Sequence, residues 1–406
     1  MAAYAQPRFA RQRARLTLAL SAALCVSSAA AGAAGSTKAP SSGVAAAACG
    51  AAWPDWDAFK RDFVSNDGRV IDVGSSDVRT VSEGQSYALF FSLVANDRKA
   101  FDTILRWTEN NLAQGDLSAH LPAWLWGRAP DGKWQVLDSN AASDADLWIA
   151  YALLEAGALW HERSYTARGT LLAKRVLDEE AANLPGLGPM LLPGPRGFHP
   201  EPDLWRLNPS YLPLQIVRGI GLRLVDDTRW PRLAASAAQL LDATAPRGFA
   251  PDWALYRTGQ GFAPDQKTRA EGSYDAIRVY LWAGMLDAGD PKAAGLLARF
   301  APLADFVAAH GAPPEKVDAT TGQAGPNSGN AGFSAAAAPL LAARGQTALA
   351  DAQAKRARAM NAQSAPGYYA SVLTLFGLGW LDGRYRFAAD GSLDVAWKGT
   401  CPAVSS

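Results

Sequence analysis

The chain has 406 residues, with 39 Lys and Arg against 38 Asp and Glu; a formal net charge of +1 excludes binding to nucleic acid through bulk charge. Apolar residues make up 49% and charged residues 19%, a globular composition that excludes disorder over most of the length. Fourteen Trp and eleven Tyr supply flat apolar faces of the kind a sugar-binding cleft stacks against, although more than half of these rings are expected to be core.

At the amino end, Arg8, Arg11, Arg13 and Arg15 precede an apolar run from Leu16 to Val26, and an Ala/Gly/Ser-rich stretch continues to Ala48. This is the layout of a secretory signal. The run is shorter than the roughly 20 residues that cross a bilayer, and no later segment is long and apolar enough to do so. Residues 1–48 are therefore read as signal and low-complexity segment, and the mature chain as a periplasmic or secreted protein with no membrane span. Of three cysteines, Cys25 lies in the signal, which leaves Cys49 and Cys401 at the two ends of the mature chain. In an oxidising compartment they form either one disulfide, contributing up to about 5 kcal/mol on the chain-entropy view, or two unpaired thiols. His120, His161, His199 and His310 are scattered, and no Cys/His spacing suggests zinc.

Apolar residues then recur at helical spacing in about twelve segments. They run over 54–64, 83–95, 99–112, 144–161, 165–182, 210–224, 230–243, 274–288, 292–309, 333–343, 348–360 and 368–381. Strand signals are short and confined to connections, as at 69–72 and at 134–137 after the turn Pro130-Asp131-Gly132. The fold class is all-α, with decorated loops. No linker divides 49–401, which reads as one domain followed by a tail over 402–406. A ring of helical hairpins and an α-solenoid both fit this pattern.

Three segments share an acidic helix start. Ser82 and Gln85 have the spacing of a capping box, which places Glu83 in a first turn. Ser143 and Asp146 repeat that spacing around Asp144, and Ser273 is a cap candidate ahead of Asp275. Acids in first turns ordinarily serve the helix dipole. Here each is followed by an aromatic (Tyr87, Trp148, Tyr280) and accompanied by a small residue (Gly84, Ala145, Gly272) that would let a ligand approach. Aromatic-lined carboxyls suit glycoside hydrolysis, which needs one carboxyl protonated and another ionised. No Gly-x-Ser-x-Gly elbow, Walker loop, dinucleotide fingerprint or His-Glu-x-x-His helix occurs, so cofactor-free acid/base chemistry remains.

The stretch from Ala142 to Ala156, closed by Trp160, resembles the signature of family 8 of the glycoside hydrolases. Segments 82–87, 121–126, 208–211 and 273–282 resemble the periplasmic endoglucanase branch that accompanies bacterial cellulose synthase. The resemblance implies an (α/α)6 barrel with a groove across one end, no cofactor or metal, and internal cleavage of cellulose or another β-1,4-glucan with inversion. Partners implied are the glucan chain and a cellulose synthesis and export complex. It also implies that Glu83 is the proton donor and Asp275 the general base. Asp144 is described in the family as a nucleophile; because inversion has no covalent intermediate, it is expected instead to orient sugar and water. Trp124, Trp126 and Tyr211 are expected as stacking platforms, and Asn208 and Tyr274 as hydrogen-bonding partners of sugar hydroxyls. Arg278, one turn after Asp275, is expected to hold it ionised. A cleft for chitosan, xylan or mixed-linkage glucan, and a weakly active glucan-binding component of export, are the alternatives.

Overall fold

Residues 52–364 and 367–398 are described by a computed structural model, and the fold is carried by helices at the spacing that the apolar periodicity predicts. In chain order they are α1 (Pro54–Phe63), α2 (Ser82–Val94), α3 (Arg98–Leu112), α4 (Ser143–Leu159), α5 (Arg163–Glu179), α6 (Leu214–Arg223) and α7 (Arg229–Ala243). There follow α8 (Ala276–Gly284), α9 (Ala293–Arg299), α10 (Ala301–His310), α11 (Ala331–Ala343), α12 (Thr347–Gln363) and α13 (Tyr368–Leu381).

Burial sorts these helices into two layers. Every residue of α2 except Glu83 is buried, all of α8 is, and α4 is buried but for Ala158. A helix that is apolar all round must be enclosed on all sides. By contrast α3 buries only Phe101, Ile104, Leu105, Trp107, Thr108 and Leu112, and its other residues are partly or fully exposed. With α6, α11 and α13, the enclosed α2, α4 and α8 form an inner ring of six helices in the order α2, α4, α6, α8, α11, α13. Packing of α2 on α4, α4 on α6, α8 on α11 and α11 on α13 makes most of it. A hydrogen bond from Gln215 to the Trp282 carbonyl joins α6 to α8. Phe376 closes the circle against Tyr87, Phe90 and Phe91. The outer layer sets α3 on α2, α5 on α4, α7 on α6, α9 on α8, α12 on α11 and α1 on α13. This is the (α/α)6 barrel, and its axis is filled by Phe90, Trp148, Trp282, Phe376 and Phe387.

The segment predicted as one helix over 292–309 is two, α9 and α10, meeting at Phe300. Pro302 stands second in α10, where its missing N–H costs nothing but a continuous helix through it would lose a bond. At 69–72 there is no strand but only a single bridge between Val64 and Val70. The one predicted over 134–137 forms, as the last of a three-stranded sheet of β1 (Thr80–Val81), β2 (Leu125–Arg128) and β3 (Trp134–Asp138). Other connections carry β4 (Ala181–Leu184) with β5 (Gly188–Leu191), and β6 (Leu204–Leu207), β7 (Ala254–Arg257) and β8 (Gly261–Pro264) in one sheet. Two further pairs are β9 (Glu271–Gly272) with β10 (Val317–Asp318), and β11 (Tyr385–Phe387) with β12 (Leu393–Val395).

The signal, Cys49 and Cys401 lie outside the described residues. Among the described residues no helix is long and apolar enough to cross a membrane.

Candidate active site

Three inner helices begin at the same place, and each start is fixed differently. Ahead of α2, β1 pairs with β2 in the register Thr80 to Trp126 and Val81 to Leu125, and the Ser82 amide donates to the Trp124 carbonyl at 3.0 Å. Glu83, the next residue, is thereby aimed out of the barrel mouth. The predicted capping box does not form. Gln85 is drawn inward instead, accepting from the Val70 amide at 2.6 Å and donating to Thr108 at 2.9 Å, because a buried amide side chain must satisfy both its ends. Ahead of α4, the Ser143 amide donates to the Pro193 carbonyl, and Asp144 accepts from the Ala145 amide at 2.8 Å. Ser143 is the first helical residue rather than the cap.

Asp275 stands at the N-cap of α8, but the group that satisfies the exposed amides comes from elsewhere. Asp252 accepts from the backbone of Ser273 at 2.7 Å, Asp275 at 3.1 Å and Ala276 at 2.7 Å, and from the Ser273 hydroxyl at 2.5 Å. Burial and the charge of Asp275 raise the Asp252 carboxyl to about 6 against these bonds.

Arg278 joins the three starts. Only 3% of its side chain is exposed, and its Nη1 donates to Glu83 at 2.7 Å and to the Tyr369 hydroxyl at 3.1 Å. Nη2 donates to Asp275 at 3.0 Å and to Ser210 at 2.9 Å, and stands 3.7 Å from Asp144. One planar fork thus spans both carboxyls that reach the cleft, which a lysine's point charge would not do. Exposure separates the acids: 18% for Glu83 and 29% for Asp275, against 3% for Asp144. Asp144 lies beneath Glu83, close enough for the two carboxyls to act on each other, and its Oδ2 has no donor among the described residues. Burial raises the Glu83 carboxyl, with Arg278 opposing it and the charge of Asp275 adding to it. It raises Asp144 further, where the charge of Glu83 adds.

Around this core the predicted binding residues divide. Tyr211 is 8% exposed, its ring 5.7 Å from the Arg278 guanidinium. Its phenol is pushed far above its ordinary range by burial and by the charges of Asp144 and Asp275. Trp124 is half-buried beside the start of α2, with its indole near enough to Asp138 to help lower that carboxyl. Trp126 does not stand free: it packs edge-on to Trp107, stacks on Trp134 at 5.2 Å and holds the Arg69 guanidinium over its ring. Asn208 is 2% exposed and caps the 3₁₀ turn Pro209–Tyr211, accepting from the Ser210 amide and hydroxyl. It orients the serine that meets Arg278. Tyr274 donates its hydroxyl to Glu315 at 3.0 Å.

The small residues beside the acids are not there for a ligand. A Cβ on Gly84 would stand 2.4 Å from the Tyr368 hydroxyl, and one on Gly272 2.1 Å from the Ala250 carbonyl oxygen, so protein already fills both spaces. Tyr87, Trp148 and Tyr280 are likewise core, at most 3% exposed. Asp252, Ser210 and Tyr369 are participants that sequence reasoning missed; Asp252 sits in a loop 21 to 24 residues before the amides it caps, where no periodicity marks it. Among the described residues, no group of three or more His, Cys, Asp or Glu side chains is placed to hold a metal ion.

Comparison with known proteins fits this geometry. The family described as glycosyl hydrolases family 8 matches residues 39–383. An endoglucanase of Salmonella typhi is 50% identical over 357 residues, covering 88% of this chain and 94% of that protein. The crystal structure of an endo-1,4-D-glucanase from Vibrio fischeri ES114 superposes with a TM-score of 0.81 at 46% identity, covering 86% of this chain and 100% of that one. That of the endo-β-1,4-glucanase CMCax from Acetobacter xylinum gives 0.67 at 27% identity, over 83% and 98%. With the barrel, the converging carboxyls and these relatives together, the chain belongs to family 8 of the glycosyl hydrolases and is a glycoside hydrolase.

Proposed function

We propose that this enzyme is an endo-β-1,4-glucanase that hydrolyses internal bonds of cellulose with inversion, Glu83 acting as proton donor and Asp275 as general base. The observation that carries the reading is the single guanidinium of Arg278 between two cleft carboxyls in unlike surroundings. Burial raises the Glu83 carboxyl beside a second buried acid, which favours the protonated form that a donor needs. Asp275, the more exposed, is held by Arg278 beside solvent. Cleavage then runs with a balanced proton count: the proton on the Glu83–Asp144 pair passes to the leaving glycosidic oxygen as its bond to C1 breaks. Water attacks C1 from the opposite face and gives its proton to Asp275. Inversion needs about 6.5 to 9.5 Å between the two carboxyls to admit that water. Asp144, too buried to meet the sugar broadly, orients the donor and shares its proton. Tyr211 and Trp124 border the groove as sugar contacts.

The same reading sets the enzyme in the periplasm beside a cellulose synthesis and export apparatus, supported by the arginine-flanked apolar run at the amino end and by the sequence segments that resemble that branch.

Viscometry of carboxymethylcellulose and chitosan with the wild type and with Glu83→Gln tests the reading. Viscosity of carboxymethylcellulose is expected to fall, and the substitution to slow this by about 10²–10⁴-fold. Proton NMR of the first product should show the α anomer; a β product removes Asp275 from the role of base. Cleavage of chitosan alone would favour the related cleft, and binding without cleavage the export component.

A further inference from the structure

Behind Asp144 lies a second pair of carboxyls that the reaction does not use. Asp146, in the first turn of α4, is 0% exposed, and Glu180, the residue that caps the end of α5, is 1% exposed. None of their four carboxyl oxygens has a hydrogen-bond donor among the described residues, and each carboxyl acts on the other at hydrogen-bonding range. Two ionised carboxylates enclosed side by side without a donor or a cation would repel each other, and a proton between them turns the contact into a hydrogen bond. The backbone builds the same junction, since the Leu192 amide donates to the Glu180 carbonyl at 2.9 Å and the Ser143 amide to the Pro193 carbonyl at 3.2 Å.

An apolar pair of similar volume would hold α4 to α5 at no desolvation cost, so a buried acid pair calls for a reason other than stability. The charged groups acting on it are all acidic. Asp144 and Glu179 raise both members, Glu179 being itself paired with Arg175, and no Lys or Arg makes an ion pair with either carboxyl among the described residues. Asp144 faces in addition Glu83, Arg278 and Asp275. The electrostatic influence of Asp144 on the pair is reciprocal: a charge on one disfavours a charge on the other.

We propose that Asp146 and Glu180 share one proton and form a positioning unit for the active site, tying the first turn of α4 to the end of α5 and keeping one negative charge behind Asp144 that holds the proton on the Glu83–Asp144 pair. This rests on the catalytic reading given above for its link to turnover, but the shared proton itself is observable without activity. Amide substitutions separate the charge from the tie. Glu180→Gln leaves an amide donating to an ionised Asp146, so tie and charge both persist. In the double variant Asp146→Asn with Glu180→Gln the tie persists and the charge is gone.

Infrared spectra of the free protein at neutral pH should show a carboxylic-acid C=O band that Glu180→Gln diminishes. The alkaline limb of the kcat/KM profile should stay in place in Glu180→Gln and move about one pH unit toward acid in the double variant, because its donor loses the proton more easily. A purely structural pair would change the melting temperature and leave both limbs where they are; that result, or an infrared band unchanged by Glu180→Gln, overturns the proposal. Should the double variant not fold, the infrared comparison decides alone. Should Glu83→Gln prove fully active while the band responds as expected, the catalytic reading fails and the acid pair stands.

Discussion

At the scale of single residues, the site is organised by groups that hold its carboxyls in place. Arg278 and Asp252 set the orientation of the two cleft carboxyls, one through its side-chain fork and the other through backbone amides. Asp252 gives a pH prediction whose sign follows from burial. Its carboxyl is raised to about 6, above the unfolded value, so between about pH 4 and 6 the folded chain binds more protons than the unfolded one. Stability from this group is full below that window and declines as pH rises through 6. Asp252→Asn removes the titration, and the fall in urea midpoint between pH 4 and 6 should become shallower than in the wild type. At pH 4 the variant should be about 1 kcal/mol less stable through the weakened cap, a deficit that shrinks toward pH 7, and it should turn over more slowly because Asp275 loses its fixed backbone. Parallel curves for the two proteins would show that Asp252 is ionised throughout.

Among the elements, the inner helices approach more closely than side chains normally permit. Pro339 inside α11 donates no amide to the turn before it, and α13 comes against that turn: a Cβ on Gly377 would lie 1.9 Å from the Ala335 carbonyl oxygen. No side chain can be accommodated there without parting the helices. Gly377→Ala should therefore cost about 1–3 kcal/mol, seen as a lowered melting temperature, with the larger figure expected because the obstacle is backbone. A neutral effect would mean that α13 slides freely along α11. Tyr369, in the first turn of α13, donates to the Tyr274 carbonyl at 2.7 Å, so such a displacement reaches the site as well.

Over the whole molecule, the aromatic axis of the barrel connects helices from distant parts of the chain. Phe376 lies 5.2 Å from Trp148 and 5.1 Å from Trp282, and also meets Tyr87, so it touches the helices that bear all three acids. Phe376→Ala should destabilise by about 3–5 kcal/mol in urea denaturation, and kcat should fall with it as the three helix starts lose their common support. Destabilisation with unchanged kcat would show that the barrel mouth is held by its loops alone.

Much of this was legible in the sequence because it is local. Helical periodicity, the breaks between segments, and the three acids near helix starts depend on neighbours within a turn or two, and the signature around Asp144 points to the family without a fold. Local reasoning failed where burial overruled it: Gln85 left its box for buried partners. What only the tertiary structure decided is which of these residues meet. Glu83 and Arg278 are 195 positions apart, and nothing in either segment signals the other. Closing a ring of six helices brings their first turns to one mouth, and there the low dielectric makes every unpaired charge costly. Asp252, Ser210, Tyr369 and the Asp146–Glu180 pair owe their parts to that closure, since the partners that define them exist only once the ring is shut.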